Sequence, residues 1–167
     1  MPKNKKRSTS FIIESRHAGL TLLTSIRGYS SILQNNIIGK VSDAHQKALQ
    51  VIFDCCEIPW ESWITLTELI EQNDDEKVIE ILSQLDGTGQ SYLERNFVSK
   101  SLASLEIAQR ESSTILEQVQ QLTDEQRTYV EIIDKNCRHE INIWNEIAAV
   151  QMRPLINSNV RDTSSDH

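Results

Sequence analysis

Two segments of this chain read alike, and that likeness limits what the chain can fold into. "VSDAHQKALQVIFDCCEIPWESW", residues 41–63, aligns without a gap on "LTDEQRTYVEIIDKNCRHEINIW", residues 122–144, at a constant spacing of about 81 residues. Val41 falls on Leu122, Ser42 on Thr123, Asp43 on Asp124, Ile52 on Ile133, Cys56 on Cys137 and Trp63 on Trp144. Many amphipathic helices share a heptad phase, but a cap, a cysteine and a tryptophan recurring together in register are harder to obtain by chance. With a short gap, "SSIL" at 30–33 also falls near "SSTIL" at 112–116. Such a repeat marks a duplicated supersecondary unit that cannot bury its apolar face alone. Here the unit is a helical hairpin, so the expected fold is all-α: an antiparallel four-helix bundle made of two fused hairpins.

The spacing of apolar residues places the helices. A first helix is expected over about 10–36, with a seam of Leu22, Ile26, Tyr29 and Leu33. "NNIIGKVSD" breaks it, with Gly39 as the turn residue and Ser42 or Asp43 as the next N-cap. A second helix over 44–72 carries the seam Leu49, Ile52, Cys56, Pro59, Trp63, Leu66 and Ile70, and Pro59 predicts a kink. "NDD" at 73–75 caps a short helix ending near Leu85, and "DGTG" at 86–89 breaks the chain again. A third long helix is expected over 91–120, and a fourth over 125–151 after the cap in "LTDE", with Pro154 as its stop. The organisation is then a disordered basic tail (1–9), a first hairpin (10–72), a connecting helix and linker (73–90), a second, degenerate hairpin (91–152) and a disordered tail (153–167).

Composition narrows the function classes. Aromatic residues are only 5%, and glycine and proline are sparse, which favours helices over sheets. A net charge of −7 argues against a nucleic-acid partner, because phosphate binding needs a concentrated basic surface. The basic cluster "PKNKKR" at 2–7 reads as part of a solubilising tail. No apolar run approaches the ~18 residues of a membrane span, and the N-terminus lacks the apolar core of a signal peptide, so no membrane association and a cytoplasmic location are expected. Cys55, Cys56 and Cys137 show no metal-ligand spacing and read as core or flank residues; neither a metal nor a cofactor is expected. Trp63 and Trp144 sit in the seams and read as core, while Trp60 lies off the seam as a candidate anchor for a partner.

"RHAGLTLLTSIRGYSSIL", residues 16–33, resembles the first helix of the dimerisation-and-phosphoacceptor domain of sensor histidine kinases. His17 falls on the family's phosphoaccepting histidine, Thr21 on its Thr/Asn position, and "TSIRGYSSIL" from Thr24 to Leu33 follows the family's tail almost residue for residue. The second helix, "VSDAHQKALQVIFDCCEIPWESWITL", is similar to the family's second helix in its acidic cap and spaced aliphatics. The resemblance covers residues 11–70 well and 91–150 more weakly. It implies that duplication replaces the family's homodimer by a single-chain pseudo-dimer, monomeric in solution. Two departures stand out: Ala18 replaces the acidic residue after the histidine, and Leu22 replaces the family's proline. That carboxylate serves the family as a general base in attack on ATP. No glycine-rich phosphate loop occurs in the chain either, so it is not expected to be an autonomous kinase.

At 100° per residue, His17 lies about 140° from the seam of the first helix, facing outward, with Thr21 one turn on along the same flank. An exposed imidazole can accept a phosphoryl group from an aspartyl phosphate or pass one on, with Thr21 as an assisting residue. The repeat equivalent of His17 falls near Val98, where neither histidine nor carboxylate occurs. His45 and His139 are expected on exposed flanks without a role. By the resemblance, a response-regulator receiver domain or a histidine kinase would dock along the first helix below His17, near Ile26, Arg27, Ser30 and Ser31. The expectation is a two-component phosphorelay protein without its own ATPase. The alternative is an inert helical scaffold for protein–protein interaction, with His17 vestigial.

Overall fold

The computed structural model describes residues 5–150. Among the described residues there is no strand, only an isolated antiparallel bridge between Leu85 and Ser91, and the fold is a helical bundle. The helices are α1 (Lys5–Gln34), α2 (Asp43–Cys55), α3 (Glu57–Gln72), α4 (Asp75–Ser83), α5 (Ser99–Glu117) and α6 (Asp124–Ala149). A π-helical turn, Glu94–Val98, leads into α5. No described helix is long and apolar enough to cross a membrane.

Local chemistry sets the helix starts. Ser42 caps α2 by accepting the His45 N–H at 3.1 Å, and Asp74 caps α4 by accepting the Lys77 N–H at 2.9 Å. Thr123 caps α6 in a reciprocal capping box with Gln126. Ser42 and Thr123 are partners in the sequence repeat, so the repeat extends to cap geometry. The first helix starts earlier than expected. It is already formed at Lys5, and Thr9 is buried, its hydroxyl donating to Asp75 at 3.2 Å. The remainder of the expected basic tail and all of the expected C-terminal tail lie outside the described residues.

Burial repeats between the halves. On α2, α3 and α6 the buried positions coincide in register: His45 with Gln126, Leu49 with Val130, Ile52 with Ile133, Cys56 with Cys137, Pro59 with Glu140, Trp63 with Trp144 and Leu66 with Ile147. On α1 and α5, Leu23 pairs with Leu105, Ile26 with Ala108, Ser30 with Ser112 and Leu33 with Ile115. The α1 seam therefore runs through Leu23 and Ser30, while the expected Leu22 and Tyr29 are half-buried at its edge. Helices α1 and α5 each pack against the α2–α3 rod and against α6. Each fully buried Leu, Ile or Trp in this core contributes about 1.5–3 kcal/mol by removing apolar surface from water.

The second helix is not continuous. It breaks at Cys56 into α2 and α3, one turn before Pro59. Proline has no N–H, so the carbonyl four residues earlier, that of Cys55, loses its helical partner. Ser104 of α5 replaces it, its hydroxyl donating to the Cys55 carbonyl at 2.8 Å. Ser104→Ala should leave that carbonyl unmet and destabilise the protein by about 1–2 kcal/mol in urea unfolding, whereas the same change at exposed Ser99 should be near neutral.

The linker holds its shape through Asp86. That carboxylate accepts from the Thr88 N–H (2.8 Å), the Thr88 hydroxyl (2.6 Å) and the Gln90 N–H (3.1 Å), and it pairs with Arg95 at 3.2 Å. Gly89 sits at φ +82°, a conformation that favours glycine. "DGTG" is thus a turn between helices.

Candidate functional site

His17 is exposed on α1, and its ring has no hydrogen-bond partner among the described residues. Thr21, also exposed, donates its hydroxyl to the His17 backbone carbonyl at 2.8 Å, which ties the turn carrying the imidazole to itself. Ala18 is exposed. In the second half, the register of buried residues pairs His17 with exposed Ser99, one residue past the position expected from sequence.

Of the residues expected at a docking surface, the fold leaves Arg27 and Ser31 partly accessible and withdraws the other two. Ile26 and Ser30 have 0% exposure because they face the seam against the neighbouring helices, so neither can touch a partner on this fold. Arg27 stacks its guanidinium over the Phe53 ring at 4.6 Å. That stack forms one wall of a groove completed by Asp54, Glu57, Trp60 and Glu61, which places half-buried Trp60 beside Arg27. Ser31 accepts from the Asn35 side chain at 3.1 Å.

Among the described residues the buried Ser30 hydroxyl has no partner, and the repeat explains why. Its counterpart Ser112 donates to Asp134 at 2.9 Å, Ser113 donates to the same oxygen at 3.0 Å, and Arg138 holds the other oxygen at 2.9 Å. In the first half the position of Asp134 is occupied by Phe53, so the acceptor is gone while the serine remains.

His45, expected on an exposed flank, is buried to 2% exposure. Its N–H bonds the Ser42 cap, which turns the ring inward, and Nε2 meets Gln118 Oε1 at 3.0 Å. Its counterpart Gln126 turns in at the same place on α6. His139 is exposed. Cys56 and Cys137 are buried and Cys55 is half-buried, all as free thiols. Burial pushes Cys56 up to about 12 and Cys137 well above its ordinary range, so neither supplies a thiolate at neutral pH. Among the described residues, no group of His, Cys, Asp or Glu is arranged to hold a metal ion.

One feature near the His17 turn was not anticipated. Glu140 has 0% exposure, and its Oε1 accepts both the Trp63 indole N–H (2.7 Å) and the Trp144 indole N–H (3.1 Å). The two indoles lie with centroids 4.5 Å apart and planes at 36°. Burial raises the carboxyl to about 7, with the two indole bonds pulling against it. The signal was present in the sequence: the α6 seam Val130, Ile133, Cys137, Glu140, Trp144, Ile147 keeps a three-four alternation with a glutamate in it. Trp63 in turn lies against Gly19 of α1, so close that a Cβ there would stand 2.5 Å from the indole ring.

Comparison with protein-family models, curated proteins and solved structures gives no match.

Proposed function

We propose that the chain is a two-component signalling protein: a monomeric pseudo-dimer of two fused hairpins of the histidine-kinase dimerisation type, with His17 as its phosphoacceptor. The observation that carries this reading is His17 itself, exposed and, among the described residues, without a hydrogen-bond partner, on the one helix whose sequence follows the family's phosphoacceptor helix, in a hairpin whose buried positions recur in the second half. The antiparallel order is supported by contacts that run oppositely along α1 and α6. Asn136 donates to Ser25 at 2.8 Å, Tyr129 meets Tyr29 with ring centroids 4.8 Å apart, and, past the end of α1, Gln126 reaches the Lys40 carbonyl at 3.4 Å.

In this reading a receiver domain brings its aspartyl phosphate, with its own divalent cation, to the exposed flank of α1. A neutral ring nitrogen of His17 attacks phosphorus, an N–P bond forms, the O–P bond to the aspartate breaks, and the carboxylate leaves. The reverse reaction passes the group on. The histidine's own domain supplies positioning and little else, since in-line phosphoryl transfer is governed by alignment and by charge at the phosphate. Arg27, Ser31 and Trp60 would form the partner's footing below the histidine.

A second reading, a docking module that moves no phosphoryl group, is favoured by Ala18 and by the loss of the histidine at Ser99. Incubation with phosphorylated receiver domains, and separately with phosphorylated kinases, separates the two. Acid-labile label is expected on the wild type and not on His17→Ala, with unfolding free energies equal to within about 0.5 kcal/mol because the ring is exposed. Binding of a receiver or kinase without label on either form would establish the docking module instead.

A further inference from the structure

We propose that Glu140 is a proton-linked positioning residue for the turn of α1 that carries His17, acting through the Trp63 indole on the backbone at Gly19. The proposal builds on the reading of His17 as the phosphoacceptor and adds a control on how that residue is presented.

Three observations converge on it. Glu140 occupies a core position, and its repeat partner Pro59 has no ionisable group. One carboxyl oxygen receives both indole N–H groups, while the buried Oε2 has no partner among the described residues. Neither protonation state is therefore fully satisfied: the ionised form leaves charge on an unpaired oxygen, and the neutral form leaves a hydroxyl without an acceptor. The titratable groups that act with it are the thiols of Cys56, between α2 and α3, and Cys137 on α6, both kept neutral by burial. From α1 and α5, no charged side chain among the described residues acts on the carboxyl. Burial brings its titration to about 7, so both states are populated near neutral pH.

The relay is mechanical. An N–H donated to a carboxylate is roughly twice as strong as one donated to a neutral acid, so ionisation draws the Trp63 indole toward Glu140. Trp63 has 0% exposure and is wedged between the Trp144 ring and the Gly19 backbone. A shift of that ring is transmitted to α1, because no side chain cushions the contact. Gly19 follows His17 by two residues, and the Thr21 hydroxyl bond to the His17 carbonyl makes the turn move as a unit.

The test follows the Gly19 backbone amide and the Trp63 indole N–H by NMR from pH 5.5 to 8.5 in the full chain. It is done in a His17→Asn background so that the imidazole's own titration does not contribute. Both signals are expected to shift with one common midpoint near 7, and both shifts should vanish in Glu140→Gln. Trp63→Phe, which keeps an aromatic ring but removes the N–H, should abolish the Gly19 shift. A Gly19 amide that stays flat while the indole titrates would overturn the relay, as would a Gly19 shift that survives in Glu140→Gln or Trp63→Phe. If the Glu140 or Trp63 variant does not fold, the titration of the His17→Asn protein still decides: a Gly19 amide that moves with the indole at one midpoint supports the relay, and a flat one overturns it. None of these signals depends on phosphoryl transfer, so failure of the relay and failure of the phosphoacceptor reading are separate results.

Discussion

Gly19→Ala is expected to destabilise the protein by up to about 2 kcal/mol, against the usual direction of such a change. In an exposed helix interior, alanine is favoured over glycine by about 1 kcal/mol. At Gly19 the new methyl would stand 2.5–2.7 Å from three atoms of the Trp63 ring, a ring with 0% exposure that also packs on the Trp144 indole. Either the ring or α1 must move, and forced overpacking of a filled core costs about 1–3 kcal/mol, which outweighs the ~1 kcal/mol gained in helix propensity. Gly28 on the same helix is the control. A Cβ there meets nothing within 4 Å, so Gly28→Ala should stabilise by about 0.5–1 kcal/mol. Urea unfolding of both variants checks the contrast, and equal, stabilising effects would mean that the Gly19–Trp63 contact is absent in solution. Trp63→Phe combined with Gly19→Ala should recover part of the loss, because the smaller ring leaves room for the methyl.

The second large effect is on the pH dependence of stability. Glu140 rises from an ordinary value of 4.5 in the unfolded chain to about 7 in the fold. Between those values the folded state holds a proton that the unfolded state has released, so the slope of unfolding free energy with pH is negative. Stability contributed at this site is therefore full below about 4.5, falls as pH rises toward 7, and is flat above. At ~1.4 kcal/mol per pH unit across the interval, the decline is on the order of 3 kcal/mol. Glu140→Gln keeps a carbonyl acceptor for both indoles and has no proton to lose, so its melting temperature should lack that decline, and the gap between variant and wild type should change from pH 5 to about 7 and level off above. Parallel pH profiles for the two proteins would show that the carboxyl does not titrate in the fold.

Much of this architecture is legible in the chain because helices and seams are local. The three-four spacing of Leu49, Ile52, Cys56, Pro59, Trp63 and Leu66 defines a face, all of it buried, whichever helices cover it. Ser42 and Thr123 announce helix starts because a cap is an interaction over three residues. The repeat signals two units of one kind, and the recurrence of burial from Leu49 with Val130 to Leu66 with Ile147 follows that register. His17 is outward by the same angular argument. What local spacing does not contain is which faces meet. Ile26 and Ser30 are lost to a docking surface because other helices close over them, and His45 is drawn inward where its ring finds Gln118 across the bundle. The break at Cys56 needed Pro59, but the hydroxyl that satisfies the freed carbonyl comes from Ser104, far along the chain. Glu140 shows the division most clearly. Its seam position can be read from the sequence, but its ionisation is set by two indoles and by exclusion of water, and these exist only once α1, α3 and α6 have closed around it.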